Sequence, residues 1–212
     1  MTTGLLNAQG LACTRGNQRL FNDINLQLTA GQWLYVQGEN GAGKTSLLRI
    51  LAGLTLPTEG EVLWQNSPIG KQRSQYHQDL LYIGHQAGLK EDLTLTENLR
   101  AQLAIDGVPV SDAAIREALT RMGLGKRQHL PARVLSAGQK RRGLLARALL
   151  RPAKLWILDE PFNALDVQAI AQAQDLLKTH LAQGGLLVLT SHQTPDLGQD
   201  AAGFILNLSG AH

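Results

Sequence analysis

Gly38-Glu39-Asn40-Gly41-Ala42-Gly43-Lys44-Thr45 decides how the rest of this 212-residue chain is read. The stretch fits G-x-x-x-x-G-K-[ST], the loop that wraps the triphosphate tail of a nucleotide. Trp33 to Gln37 before it reads as a short apolar strand, and Ser46 to Leu54 after it as an amphipathic helix. Strand, glycine loop and helix form the setting that confirms the motif. Phosphates need many donors close by. Glycines at 38, 41 and 43 let the backbone take positive φ and turn its N–H groups inward. The helix that follows aims its positive end at the same place. Lys44 adds a full charge toward the β and γ phosphates, and Thr45 offers a hydroxyl to Mg²⁺. Gly38, Glu39, Asn40, Gly41, Ala42, Gly43, Lys44, Thr45 and Ser46 are therefore the candidate nucleotide-binding residues.

A second cluster supports the first. Lys154 to Asp159 reads KLWILD, an apolar run ending in a carboxylate, as in a parallel-sheet strand buried on both faces. Asp159 at the strand end is placed to hold the hydration shell of Mg²⁺. Glu160 follows and points elsewhere, where it polarises a water for attack on the γ-phosphate.

Composition narrows the class. Hydrophobic residues make up 43% and aromatics 4%, and the length suits one domain with a sizeable core. No apolar run approaches the ~20 residues of a transmembrane helix, and Met1 to Gln9 shows no signal sequence. The single cysteine, Cys13, excludes an intrachain disulfide and fits a reducing cytoplasm. A net charge of +3 is too mild to argue for nucleic acid, and Lys140-Arg141-Arg142 reads as the solvated face of a helix.

Further motifs reach a family. Leu135-Ser136-Ala137-Gly138-Gln139 closely resembles the LSGGQ signature of ABC ATPases. Asn163-Ala164-Leu165-Asp166 looks like their D-loop, His192 after Ser191 like their switch histidine, and Gln86 like their Q-loop glutamine. The motifs stand in the family's order and span nearly the whole chain. The resemblance implies an α/β fold of P-loop NTPase type: a RecA-like core sheet with an antiparallel β subdomain, plus an inserted helical subdomain. It implies a single ABC transporter ATP-binding domain over 1–212, with 1–87 and 153–212 as the core and 88–152 as the helical signature subdomain. Leu5 to Cys13, Asp23 to Leu28, Gly60 to Trp64, Leu80 to Ile83, Leu186 to Thr190 and Phe204 to Leu208 read as strands. Thr96 to Ile105, Ser111 to Met122 and Ala137 to Leu150 read as helices. The chain stops soon after Phe204 to Leu208, so no C-terminal regulatory domain is expected.

The resemblance also implies roles. Two such domains close head to tail around two ATP molecules, so Ser136, Gly138 and Gln139 would meet the γ-phosphate of the ATP held by the partner chain. Glu160 is the general base or water-orienting group, and His192 steadies the γ-phosphate. Thr45, Gln86 and Asp159 serve Mg²⁺ and its waters, and Asp166 acts across the dimer. Two departures stand out. Ala137 replaces a glycine, which a negative φ would tolerate. Cys13 to Leu20 lacks the aromatic that usually stacks on adenine, and Arg15 there is either a stacking guanidinium or a solvated loop residue.

The run Gly84-His85-Gln86-Ala87-Gly88-Leu89-Lys90, with Leu93-Thr94-Leu95-Thr96-Glu97-Asn98-Leu99, resembles the ATP-binding subunits of cytochrome c maturation (Ccm) haem-export transporters. Such a subunit is peripheral, on the cytoplasmic face of the bacterial inner membrane. Integral membrane subunits dock around Gln86, and ATP hydrolysis drives release of a haem-loaded periplasmic chaperone. Haem is not expected to bind this chain, which has no C-x-x-C-H, and His85 is expected to pack or to meet a partner. An exporter of another cargo, such as a lipid or drug, remains open, as does a soluble ABC ATPase. Glu160 and His192 argue against a sensor that binds nucleotide without turnover.

Overall fold

Two sheets organise the computed structural model, which describes residues 5–86, 88–198 and 201–208. Ala87, inside the run that resembles the maturation family, lies outside the described residues, as do Met1 to Gly4 and the C-terminal limit of the expected domain. The chain enters on β1 (Leu6–Arg15) and β2 (Gln18–Leu28), an antiparallel pair. β3 (Trp33–Gly38) opens the second sheet, and the phosphate loop delivers the chain into α1 (Lys44–Leu51). β4 (Glu59–Trp64) and the short β5 (Ser67–Pro68) return to the first sheet, whose order is β2-β1-β4-β5. After α2 (Arg73–Asp79) and β6 (Leu80–Ile83), three helices follow before the next strand: α3 (Leu95–Ile105), α4 (Asp112–Arg121) and α5 (Ala137–Leu150). β7 (Leu155–Leu158), α6 (Val167–Ala182), β8 (Leu186–Thr190) and β9 (Gly203–Leu208) complete a five-stranded parallel sheet of order β6-β7-β8-β3-β9.

The period-two alternation of strand side chains divides the interior. Leu155 and Ile157 of β7, with Leu186 and Val188 of β8, join a core formed with α1 and the antiparallel sheet. Trp156, Leu158, Leu187 and Leu189 face the other way, into a core shared with α3 to α6. Because both faces of these strands are covered, β7 is apolar throughout and β8 is apolar up to its last residue, Thr190, as their sequences indicate. The first core fixes the phosphate loop and the second fixes the helices that carry the signature.

Several elements depart from expectation. β2 starts at Gln18 rather than Asp23, and its exposed Gln18 and Arg19 hid the earlier start. α1 begins at Lys44 and ends at Leu51, so Ala52 to Leu54 fall outside it. Two helices were not expected: α2, which buries only Tyr76, and α6, which buries a stripe of Ala169, Ala173, Leu177, His180 and Leu181.

Candidate active site

The loop from Gly38 to Gly43 is left-handed where its sequence allows it. Gly38, Gly41 and Gly43 have φ of 150°, 88° and 95°. At Gly38 a methyl group would stand 2.5 Å from the Leu208 carbonyl oxygen, so the neighbouring β9 also demands glycine. At Gly43 a methyl would meet Leu20 Cβ at 3.0 Å, which keeps the loop tight against β2. α1 starts immediately after, with no side-chain cap. Its first amides are therefore open to an anion, with the helix dipole behind them. Lys44 Nζ donates to the carbonyls of Gly38 at 2.7 Å and Glu39 at 3.0 Å, curling its ammonium over the loop.

The carboxylates stand at the C-terminal end of β7. Asp159 is 2% exposed and both of its oxygens accept from hydroxyls. Thr45 Oγ1 donates to Oδ2 at 2.8 Å, and Thr190 Oγ1 donates to Oδ1 at 2.7 Å. Thr45 thus spends its proton on Asp159 and keeps its lone pairs. Among the described residues no group of three or more His, Cys, Asp or Glu is arranged to hold a metal. A hydroxyl beside one carboxylate is nevertheless the donor set that suits Mg²⁺, which keeps several waters and takes its remaining oxygens from phosphates. The residues present fit that ion.

Glu160 has φ of 53°, a left-handed conformation that a non-glycine residue adopts at a cost of about 1 kcal/mol or more. Its amide donates to Thr190 Oγ1 at 2.9 Å. Its side chain is 10% exposed and lies 3.7 Å, Oε1 to Nε2, from the exposed imidazole of His192. The same Thr190 hydroxyl therefore orients Asp159 and pins the backbone of Glu160.

Arg141, expected on a solvated face, is buried. Its guanidinium donates to the carbonyls of Gly84 at 2.8 Å, Pro161 at 3.4 Å and Asp159. Burial holds it below the usual guanidinium range, and the charges of Asp159 and Glu160 oppose that shift. Its neighbours in the basic run behave differently: Lys140 pairs with Glu91 at 2.9 Å, and Arg142 reaches the Met122 carbonyl at 3.4 Å.

A cleft of about 480 Å³ unites the loop with the carboxylates. Asn40, Gly41, Gly43, Lys44, Thr45 and Ser46 form one wall, and Asp159, Glu160 and His192 the facing one. Arg15, Gln18 and Leu20 of the first hairpin line it too, so Arg15 stands at the cleft. Gly38, Glu39 and Ala42 shape the loop from behind. Gln86 is exposed and is not among the lining residues, whereas His85 is.

Ser136, Gly138, Gln139 and Asp166 lie elsewhere. Ser136 caps α5 in a reciprocal capping box with Gln139, its Oγ accepting from the Gln139 amide at 3.2 Å. Ala137 is the first residue of that helix, so its backbone needs no glycine. Gly138 does: a methyl there would lie 2.3 Å from the carbonyl oxygen of Ala164, itself left-handed at φ 61°. Asp166 caps α6, accepting from the Ala169 amide at 2.8 Å. Thr190 and Arg141 were not expected at the site. Thr190 is signalled only by a polar residue closing the apolar run of β8.

The ABC transporter family profile matches residues 21–163. The cytochrome c biogenesis ATP-binding export protein CcmA of Methylococcus capsulatus is 51% identical over 99% of this chain and 100% of its own length. Its namesake from Nitrosomonas europaea is 46% identical over 91% of this chain and 93% of its own. Among solved structures, a dimeric bacterial ABC transporter cassette superposes with a TM-score of 0.84 at 23% identity, covering 96% of this chain and 94% of that one. A dimeric post-hydrolysis cassette bound to ADP and Pi gives 0.83 at 23% identity, over 95% and 93%. At such identities the likeness is one of fold.

Proposed function

The chain belongs to the ABC transporter family and, within it, to the cytochrome c biogenesis ATP-binding export proteins, and from that premise we propose that it is the ATP-hydrolysing subunit of a cytochrome c maturation haem-export complex. The observation that carries hydrolysis is the meeting of Glu160 and His192, 3.7 Å apart, in the cleft that the phosphate loop opens onto. In this reading the loop amides and Lys44 hold the β and γ phosphates, while Arg15, Gln18 and Leu20 face the nucleoside. Glu160 orients a water in line with the γ-phosphorus and accepts its proton. His192 donates to a γ-phosphate oxygen as charge builds there. The bond to the bridging oxygen breaks, leaving ADP and phosphate. Thr45 and Asp159 would hold Mg²⁺, with Gln86 serving its waters, and the ion would supply charge neutralisation for the phosphates.

Ser136, Gly138, Gln139 and Asp166 lie off the cleft of their own chain, which supports a head-to-tail pair in which they serve the partner's ATP. The N-terminal amides of α5, beside Ser136, suit a γ-phosphate there as those of α1 do here. ATP is then shared by two chains, and its hydrolysis releases them. No helix of the described residues is long and apolar enough to cross a membrane. In this reading the chain acts from the cytoplasmic face of the inner membrane, bound to integral subunits around Gln86. Its core and helical parts are taken as 1–87 with 153–212, and 88–152.

Glu160→Gln tests the reading. The variant is expected to bind ATP normally, to lose turnover by at least about a hundredfold, and to accumulate as an ATP-bound dimer in size-exclusion chromatography. Turnover at the normal rate would remove Glu160 from the role. A pull-down from detergent-solubilised membranes tests the partner: haem-handling membrane subunits are expected, and an unrelated permease would discard the haem assignment while leaving the ATPase chemistry in place.

A further inference from the structure

Arg141 is 6% exposed, yet it donates to three backbone carbonyls. Two of them, Asp159 and Pro161, flank Glu160. The third, Gly84, closes the segment from which His85 enters the cleft. From the opposite side, Thr190 takes the Glu160 amide at 2.9 Å. The left-handed turn at Glu160 is thus held by β8 through Thr190 and by α5 through Arg141. α5 touches the same loop again at its first turn, where Gly138 leaves no room for a methyl against the Ala164 carbonyl. A planar guanidinium with five N–H donors satisfies divergent carbonyls in a way that an ammonium does not.

We propose that Arg141 is a positioning residue: it holds the backbone of Glu160 in the conformation that aims its carboxylate into the cleft, and it ties that conformation to the placement of the signature helix α5. The proposal rests on the role given to Glu160 above. Any shift of the Ser136 end of α5 is carried by a short, buried linkage to the peptide bonds on either side of Glu160, and the Gly84 bond moves His85 with them. Nucleotide contacts made by the phosphate loop are not part of this linkage.

The test uses the full chain with Arg141→Met, which keeps length and loses every donor, and Arg141→Lys, which keeps charge and loses the fork. In both, kcat for ATP is expected to fall at least about tenfold while KM changes less than about twofold. Binding of a fluorescent ATP analogue is expected to be unchanged. In a Glu160→Gln background, Arg141→Met is expected to lower the residual turnover no further, since both changes disable one group. Wild-type kcat in either variant overturns the proposal, and so does an equal further loss in the Glu160→Gln background. If Arg141→Met does not fold, as judged by its melting transition, Arg141→Lys decides by the same kcat and KM criteria. Normal turnover in Glu160→Gln alone would reject the underlying role of Glu160. Normal turnover in Arg141→Met beside an inactive Glu160→Gln rejects only the linkage.

Discussion

At the scale of single residues, the site depends on places where the backbone admits only one choice. Gly138 is such a place: its missing methyl is the space occupied by the Ala164 carbonyl. Gly138→Ala is expected to cost about 1–3 kcal/mol by overpacking, read as a lower urea midpoint, and to displace the loop that carries Asp166. His180 gives a second prediction. Its ring lies 3.8 Å from that of Trp156 and 7° from parallel, and Nε2 donates to the Leu186 carbonyl at 3.1 Å. Burial draws its pKa down to about 4, with the carbonyl bond opposing. The folded chain keeps His180 neutral, whereas the unfolded chain protonates it near ~6.5. The stabilisation is therefore complete above that value and is lost as the pH falls toward the folded pKa, with a ceiling of about 3 kcal/mol. Urea denaturation should show a lower midpoint at pH ~5 than at pH ~7.5, and His180→Phe should flatten the difference. The residues of the phosphate loop are legible in sequence because each type has one mechanical use there. Arg141 is not, because a buried cation bonded to carbonyls has the same letters as a solvated basic run. Thr190 escapes for a similar reason, since its hydroxyl matters only once β8 lies beside β7.

At the scale of elements, α5 is fastened to the parallel sheet at both ends. Arg141 anchors its start to the loop after β7. Arg151, at its C-cap, reaches the Leu80 carbonyl at 3.1 Å and pairs with Asp106 at 2.7 Å, where Arg147 also binds. The two arginines are buried alike but should separate by experiment. Arg151→Met is expected to lower stability by about 2–3 kcal/mol by stranding buried partners, with kcat per folded molecule preserved, unlike Arg141→Met. Helix caps give a milder case: Ser111 accepts from the Ala114 amide at 3.2 Å at the start of α4, far from the cleft lining. Ser111→Ala should cost about 1 kcal/mol in thermal or urea unfolding and leave ATPase activity unchanged. That cap was visible in the sequence, as was the helix it starts. α6 was not, although Ala169, Ala173, Leu177 and Leu181 recur at helical spacing on its buried face. α2 offers only Tyr76 to the interior, where its hydroxyl bonds the Leu51 carbonyl.

At the scale of the whole molecule, the parallel sheet separates two cores, and the cleft opens beside the C-terminal ends of β3 and β7. The nucleotide end is held by the core under α1, and the signature end by the core under α3 to α6. The apolar runs of β7 and β8 announced strands buried on both faces, but which core each face joins was not legible in them. Sequence could not give the distance between Ser136 and the chain's own cleft, which depends on how α5 crosses the sheet. Wild-type ATPase activity per chain should therefore rise with protein concentration, as expected of a site completed by a second copy, and mixing in inactive Glu160→Gln chains should depress it more than in proportion. Trp156 lies three residues before Asp159 on β7. Among the described residues its buried indole nitrogen has no hydrogen-bond partner, and its ring is stacked on the neutral imidazole of His180. The emission of an indole stacked on a second ring depends on the spacing of the two rings, and both rings here also line a cleft of about 450 Å³. The strand that leads into Asp159 and Glu160 thus carries its own optical reporter, and in a chain with Trp33 and Trp64 replaced its light can be followed during turnover without attaching any dye.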